Sequence, residues 1–244
     1  MSRRIPNYGT RARIGVLLPS GNMAAEPELL AMMPYGVACC TTRLPLAGSS
    51  KDELLGMTVQ VEVAGQLLKD VRPDLLVFHC TAVSTWDSQT DVQLSERVQA
   101  ATGIRTTTTA TALIQALQRF EAKKIVLLTP YIDEINDREV QFLRHHGKDV
   151  LVCKGLGLRG PHEMFAVDPR AWVELALQSR HPDAEAYLIS CTAIRTLEVI
   201  EQLEQKLQRP VLTSNQTMAW HALRLAGIRE AVAGAGQLLL NSAT

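Results

Sequence analysis

The chain has 244 residues, 46% of them apolar and 20% charged, enough to bury a full core as one large or two small domains. Its 25 basic residues balance 25 acidic ones, so there is no electrostatic reason to expect a nucleic acid or an anionic membrane surface as partner. No 18-residue apolar span is present, and five cysteines without a C-x-x-C pair fit neither a disulfide framework nor a zinc ribbon, so a reducing, cytoplasmic setting and no metal are expected.

Residues 1–13 carry Arg3, Arg4, Arg11 and Arg13 without a following apolar segment, which reads as a short disordered lead-in and not as a secretory signal. Compact apolar runs then predict strands at 13–18, 37–42, 75–78 and 103–107, and a second set at 124–128, 150–153, 186–189 and 210–213. Between them, apolar residues recur at helical spacing: Leu54, Val61, Ala64, Leu67 and Leu68; Leu113, Leu117 and Phe120; Leu197, Ile200, Leu203 and Leu207. Strands alternating with helices predict βαβ units and parallel sheets.

One phrase occurs twice. Residues 78–85, FHCTAVST, return as residues 189–196, ISCTAIRT, and the two cysteines are 111 positions apart (191 − 80). Ile14 to Pro19 matches Ile125 to Pro130 at the same offset (130 − 19), and Thr107 to Thr111 aligns with Thr213 to Thr217 at an offset of 106 (213 − 107). Matched landmarks in the same order predict a duplicated four-strand α/β unit. The expected division is an N-terminal domain at 1–120, rejoined by a C-terminal helix at 221–244, and a C-terminal domain at 121–220. The closing segment after Ala235-Gly236 is expected to pack back on the first domain.

Each Cys-Thr-Ala follows an apolar strand and precedes a polar stretch, which puts a thiol at the carboxyl edge of its sheet, where open α/β sheets bind ligands. A helix start there would lower a thiol pKa and receive a substrate carboxylate. Thr81 and Thr192 add hydroxyl and N–H donors, with Ala82 and Ala193 beside them. Cys39, Cys40 and Cys153 lie inside predicted strands and read as small buried hydrophobes. The loops Pro19-Ser20-Gly21-Asn22 and Pro130-Tyr131-Ile132-Asp133 leave the matched strands on the same edge. Asn22 offers an amide and Tyr131 a phenol O–H to a carboxylate. Turn and cap chemistry alone would account for Ser20, Asp133 and Asn136. The Thr-rich turns at 106–109 and 213–215 read as helix caps with room for a substrate contact. The histidines lack metal-ligand spacing, and no dinucleotide or Walker sequence is present.

Pro19-Ser20-Gly21-Asn22 with Glu26-Pro27-Glu28-Leu29, the two Cys-Thr-Ala turns, Thr129-Pro130-Tyr131 and Gly234-Ala235-Gly236-Gln237-Leu238-Leu239 resemble the aspartate/glutamate racemase superfamily, in the branch of maleate cis-trans isomerase and arylmalonate decarboxylase. The resemblance implies two pseudo-symmetric, flavodoxin-like α/β domains with parallel sheets and the active site between them. It also implies no cofactor, an enediolate-type intermediate and a homo-oligomer, dimer or tetramer. In the isomerase branch one cysteine attacks the double bond and the other faces it, matched here by Cys80 and Cys191, while Asn22 and Tyr131 match the carboxylate holders. Pro19, Ser20, Thr81, Ala82, Thr192 and Ala193 complete the expected substrate-binding set. The decarboxylase branch has Gly at the first cysteine position. The isomerases usually carry an Asn where this chain reads Gly160-Pro161-His162-Glu163, and apolar residues where it reads Thr81-Ala82. The expectation is therefore an isomerase of a small (di)carboxylate. An amino-acid or hydantoin-type racemase, an arylmalonate-decarboxylase-like enzyme and a two-lobed ligand-binding protein are the alternatives.

Overall fold

The computed structural model describes residues 6–46 and 48–240. Strand β1 (Ala12–Pro19) pairs in parallel with β2 (Val37–Leu44) and β3 (Leu75–Phe78), and β3 pairs with β4 (Thr106–Thr108), giving a four-stranded sheet of order β2-β1-β3-β4. Strands β5 (Lys124–Tyr131), β6 (Asp149–Leu158), β7 (Ala186–Ile189) and β8 (Val211–Thr213) repeat it as β6-β5-β7-β8. The duplication reaches the register: Ile14 opposes Leu75 and Ile125 opposes Ala186, both partners displaced by 111 (125 − 14 and 186 − 75). The last strands are offset differently. Phe78 opposes Thr108 and Ile189 opposes Thr213, so the Thr-rich turns align at 105 (213 − 108) rather than 106.

The central strands are continuous apolar runs because both faces of each sheet are covered. Ile14, Val16 and Leu18 of β1 and Ile125 and Leu127 of β5 point into one core, and Leu17, Val126 and Leu128 into the other. The first core is shared by the two halves. Helix Ser214–Leu225 packs there against helices Thr109–Arg119 and Ala25–Met32 of the first half, and its residues 214–223 are all buried. Thr108 and Thr213 start these helices by accepting the N–H of Thr111 and Gln216, each at 3.2 Å.

Three expectations change. The lead-in is tied down from Asn7 onward, whose Nδ2 donates to Val37 O at 2.7 Å and whose Oδ1 accepts from Gly36 N at 3.1 Å. The apolar stretch 51–69 is not one helix but Lys51–Gly56, a tight turn at Met57–Gln60 and Val61–Lys69, and Leu67 points to solvent. The closing helix Gly236–Leu240 packs on helices Ile200–Leu207 and Ser214–Leu225 and beside β8, in the second half. Gln216 Nε2 holds Ala235 O there at 2.7 Å. Helix Ser214–Leu225 packs on the first half, and within the expected 221–244 segment His221 meets Thr107 at 3.2 Å and Glu230 pairs with Arg11 at 2.6 Å. Among the described residues, no helix is long and apolar enough to cross a membrane.

Candidate active site

In each sheet the strand order reverses beside the first strand, between β1 and β3 and between β5 and β7, and crevices form at such switch points. Asn22 and Cys80 leave one switch point, Tyr131 and Cys191 the other. The halves meet with these edges facing, and all four side chains line one cavity of about 40 Å³, room for a few water-sized groups. Pro19, Ala82, Thr192 and Ala193 line it too.

Asn22 is buried and bridges the halves. Its Oδ1 accepts from the N–H of Ala24 and Ala25 at 3.0 and 2.9 Å, and its Nδ2 donates to Thr192 Oγ1 at 3.0 Å. An amide nitrogen carries two hydrogens, so one remains for a ligand. The Tyr131 hydroxyl donates to the Cys191 sulfur, and the Ala193 N–H reaches the same sulfur at 3.2 Å. The Cys80 sulfur is held by the N–H groups of Val83 and Ala82. Burial nevertheless dominates: it pushes the Cys80 and Cys191 thiols up to about 12, against the hydrogen bonds that favour thiolate. The expected helix-terminus activation is outweighed because the helix after Cys80, Thr81–Ser84, is a single turn. After Cys191 the chain turns, and regular helix resumes only at Ile200. Both thiols are therefore protonated in the ligand-free site.

Two expected site residues point elsewhere. Ser20 is exposed, its Oγ accepting from Leu46 N at 3.0 Å. The Thr81 hydroxyl donates to Ser214 Oγ at 2.9 Å, in the seam between the halves. The Thr-rich turns also serve that seam, with Thr109 against His79 Nδ1 at 3.0 Å and Thr107 against His221 Nε2 at 3.2 Å. His79, beside Cys80 in sequence, turns away from the cavity. Its Nε2 bonds Asn215 Oδ1 at 2.9 Å, and burial holds its pKa down to about 4. Asn215 uses its Nδ2 as donor elsewhere, so its Oδ1 accepts and the neutral His79 carries its proton on Nε2.

The apolar wall was not foreseen. Leu46 and Leu54 come from the chain after β2, and Pro161 and Met164 from that after β6. Met164 Sδ lies 4.0 Å from Cys191 Sγ. The usable signal was topological: β2 and β6 flank the strands that bear Asn22 and Tyr131, so their exits open on the same edge. Among the described residues, no group of three or more His, Cys, Asp or Glu could hold a metal ion.

The family model for arylmalonate decarboxylase matches residues 14–239, which includes every residue of the cavity. The chain belongs to the arylmalonate decarboxylase family. An arylmalonate decarboxylase of Bordetella bronchiseptica is 34% identical over 136 residues, 55% of this chain and 57% of that protein, so the match spans little more than half of either. A maleate isomerase of Nocardia farcinica is 25% identical over 93% of this chain and 95% of its own length. Among solved structures, the maleate isomerase of Pseudomonas putida S16 with maleate has a TM-score of 0.91 at 23% identity, covering 94% of this chain and 97% of that one. A mutant arylmalonate decarboxylase in liganded form has a TM-score of 0.87 at 26% identity, covering 93% and 98%. The architecture, two parallel-sheet α/β halves, is thus the fold of both groups, and the family lies within the aspartate/glutamate racemase-like superfamily.

Proposed function

We propose that this chain is a cofactor-independent isomerase of a small dicarboxylate with a cis double bond, acting by reversible addition of Cys80. The carrying observation is that two thiols, from the two copies of one turn, line one small cavity beside Asn22 and Tyr131. A single thiol would suffice to protonate an intermediate from one side. The maleate isomerase relatives support the reading, as does the Nocardia farcinica enzyme whose mutant structure carries a covalently bound succinylcysteine intermediate.

The site constrains the steps. Cys80 enters as a thiol, so its proton passes to a substrate carboxylate as the sulfur adds to the alkene carbon. The C=C electron pair moves toward that carboxyl and gives an enediolate-type anion. The remaining single bond rotates, the pair returns, the C–S bond breaks, and Cys80 recovers its proton. In this reading Asn22 Nδ2, the Tyr131 hydroxyl and the turn N–H groups hold the developing charge. Cys191 stands opposite and, as a thiol, donates a hydrogen bond to the enediolate-type anion without giving up its proton.

The test replaces each thiol. Cys80→Ala abolishes cis–trans turnover, and Cys191→Ser accumulates a substrate adduct on Cys80 seen by intact mass. Full turnover by Cys80→Ala would overturn the reading. The arylmalonate decarboxylase relative and the paired thiols keep proton-transfer chemistry, decarboxylation or racemisation, as the second reading. Turnover in deuterated water separates them, because addition and elimination leave the vinylic hydrogens in place while protonation at carbon introduces deuterium.

A further inference from the structure

Helix Ser214–Leu225 begins where the two halves meet, and its first two side chains are fully buried. Each of them touches both cysteine turns. Ser214 Oγ accepts from Thr81 Oγ1, one residue after Cys80, at 2.9 Å, and from the backbone N–H of Cys191 itself at 3.0 Å. Asn215 Oδ1 accepts from His79 Nε2, one residue before Cys80, at 2.9 Å. Its Nδ2 donates to Thr192 O, one residue after Cys191, at 3.3 Å, and to Glu28 Oε2 at 2.7 Å, which uses both amide hydrogens.

These contacts begin where the sheets stop holding the chain. The N–H groups of His79 and Ser190 still bond the neighbouring strands, at Leu17 O and Leu128 O, at 2.9 and 2.8 Å. The cysteines follow directly. Helix capping does not explain the contacts, because Thr213 already caps the helix through Gln216. Nor does the duplication require them. At the offset of 105, Ser214 corresponds to Thr109 (214 − 109) and Asn215 to Ala110 (215 − 110). Thr109 Oγ1 meets His79 Nδ1 at 3.0 Å and Phe78 O at 3.3 Å, both in its own half, and Ala110 has no polar side chain. The bridge between the turns is thus peculiar to the second copy.

We propose that Ser214 and Asn215 are positioning residues that fix the spacing of the Cys80 and Cys191 turns, so that both thiols face one substrate. Neither residue lines the cavity. The proposed effect on turnover rests on the isomerase reading above; the effect on the thiols does not.

Peptide-resolved alkylation of the ligand-free protein by iodoacetamide, with Cys39 and Cys153 as internal controls, tests it beside steady-state turnover of maleate. Ser214→Ala removes one oxygen and leaves the Thr213 cap intact. Cys80 and Cys191 then both alkylate faster, on the order of fivefold, while Cys39 and Cys153 stay within about twofold. The kcat falls on the order of 10- to 100-fold with KM within about threefold, since a small misplacement of reacting groups acts on rate. Ser214→Thr, which keeps the hydroxyl and matches position 109, returns alkylation and kcat to within about threefold of wild type. Asn215→Ala, which matches position 110, repeats the paired acceleration. Acceleration of Cys191 alone in Ser214→Ala overturns the proposal, since Ser214 would then anchor only its own half. Acceleration of all four cysteines, the mark of general loosening, overturns it too, as do unchanged rates in both Ser214→Ala and Asn215→Ala. Alkylation needs no substrate. Paired acceleration in a protein whose wild type leaves maleate unchanged would sink the isomerase reading and keep the bridge; turnover without paired acceleration would do the reverse.

Discussion

Cys80 and Cys191 are set apart from the other cysteines by the donors around their sulfurs. Cys39 and Cys40 in β2 and Cys153 in β6 lie along strands, as their place in the sequence suggested, but they are half-buried and not buried as expected. The pair that lines the cavity was legible because the same tripeptide ends two apolar runs. Its protonation was not legible, because desolvation depends on what the opposite half lays over the sulfur. Tyr131 shows the same limit: its phenol was readable as a donor, its bond to Cys191 only from the fold. Tyr131→Phe removes that donor and is expected to lower kcat by about 100-fold with a smaller change in KM, measured by steady-state kinetics. Glu139 gives a pH prediction. Its carboxyl ionises near 4.5 in an unfolded chain and near 7 in the native one. Between these values the unfolded state releases its proton first, so native stability falls as pH rises, and the loss is complete above 7. Glu139→Gln escapes this, so denaturant unfolding should show it gaining on wild type by on the order of 1–3 kcal/mol at pH 8 relative to pH 4.

At the scale of elements, strands were the easiest to read. Residues 14–18, 75–78, 125–128 and 186–189 are unbroken apolar runs because each central strand is covered on both faces, and composition records burial. The stretch 51–69 was read less well, since spacing alone does not say that Met57–Gln60 tightens or that Leu67 faces water. Helix Asp133–His145 shows how an element sets the site. Its Asn136 accepts from Thr129 Oγ1 at 2.5 Å and donates to Tyr131 O at 3.3 Å, locking the chain that carries the Tyr131 ring. This approach requires Gly155 in β6, where a Cβ would collide with the Asn136 amide and the Tyr131 carbonyl. Gly155→Ala is therefore expected to destabilise by about 1–3 kcal/mol in chemical denaturation, and to reduce turnover by moving Tyr131.

The whole molecule depends on the seam between its halves. Glu28, from helix Ala25–Met32, crosses it to hold the N–H groups of Thr196 and Leu197 and the amide of Asn215, which continues to His79. Asn22 crosses it to Thr192, and Thr81 to Ser214. The cavity exists only while this seam is closed. Glu28→Ala strands buried N–H donors and is expected to cost about 1–3 kcal/mol or more in denaturant unfolding, with KM rising as the second turn loses its anchor. The amino-acid order alone carried the repeat, the α/β class, the edge of each sheet that opens on the cavity, and the cavity residues Asn22, Cys80, Tyr131 and Cys191. Those are local properties, because burial leaves apolar runs and a turn leaves its own residues. The facing of the two edges, the wall of Leu46, Leu54, Pro161 and Met164, the diversion of Thr81 and the closing helix, and the buried Glu139 carboxyl against Ser190 came from the fold. Each depends on contacts between residues distant in sequence, and no local pattern encodes which distant side chain removes the water from a thiol.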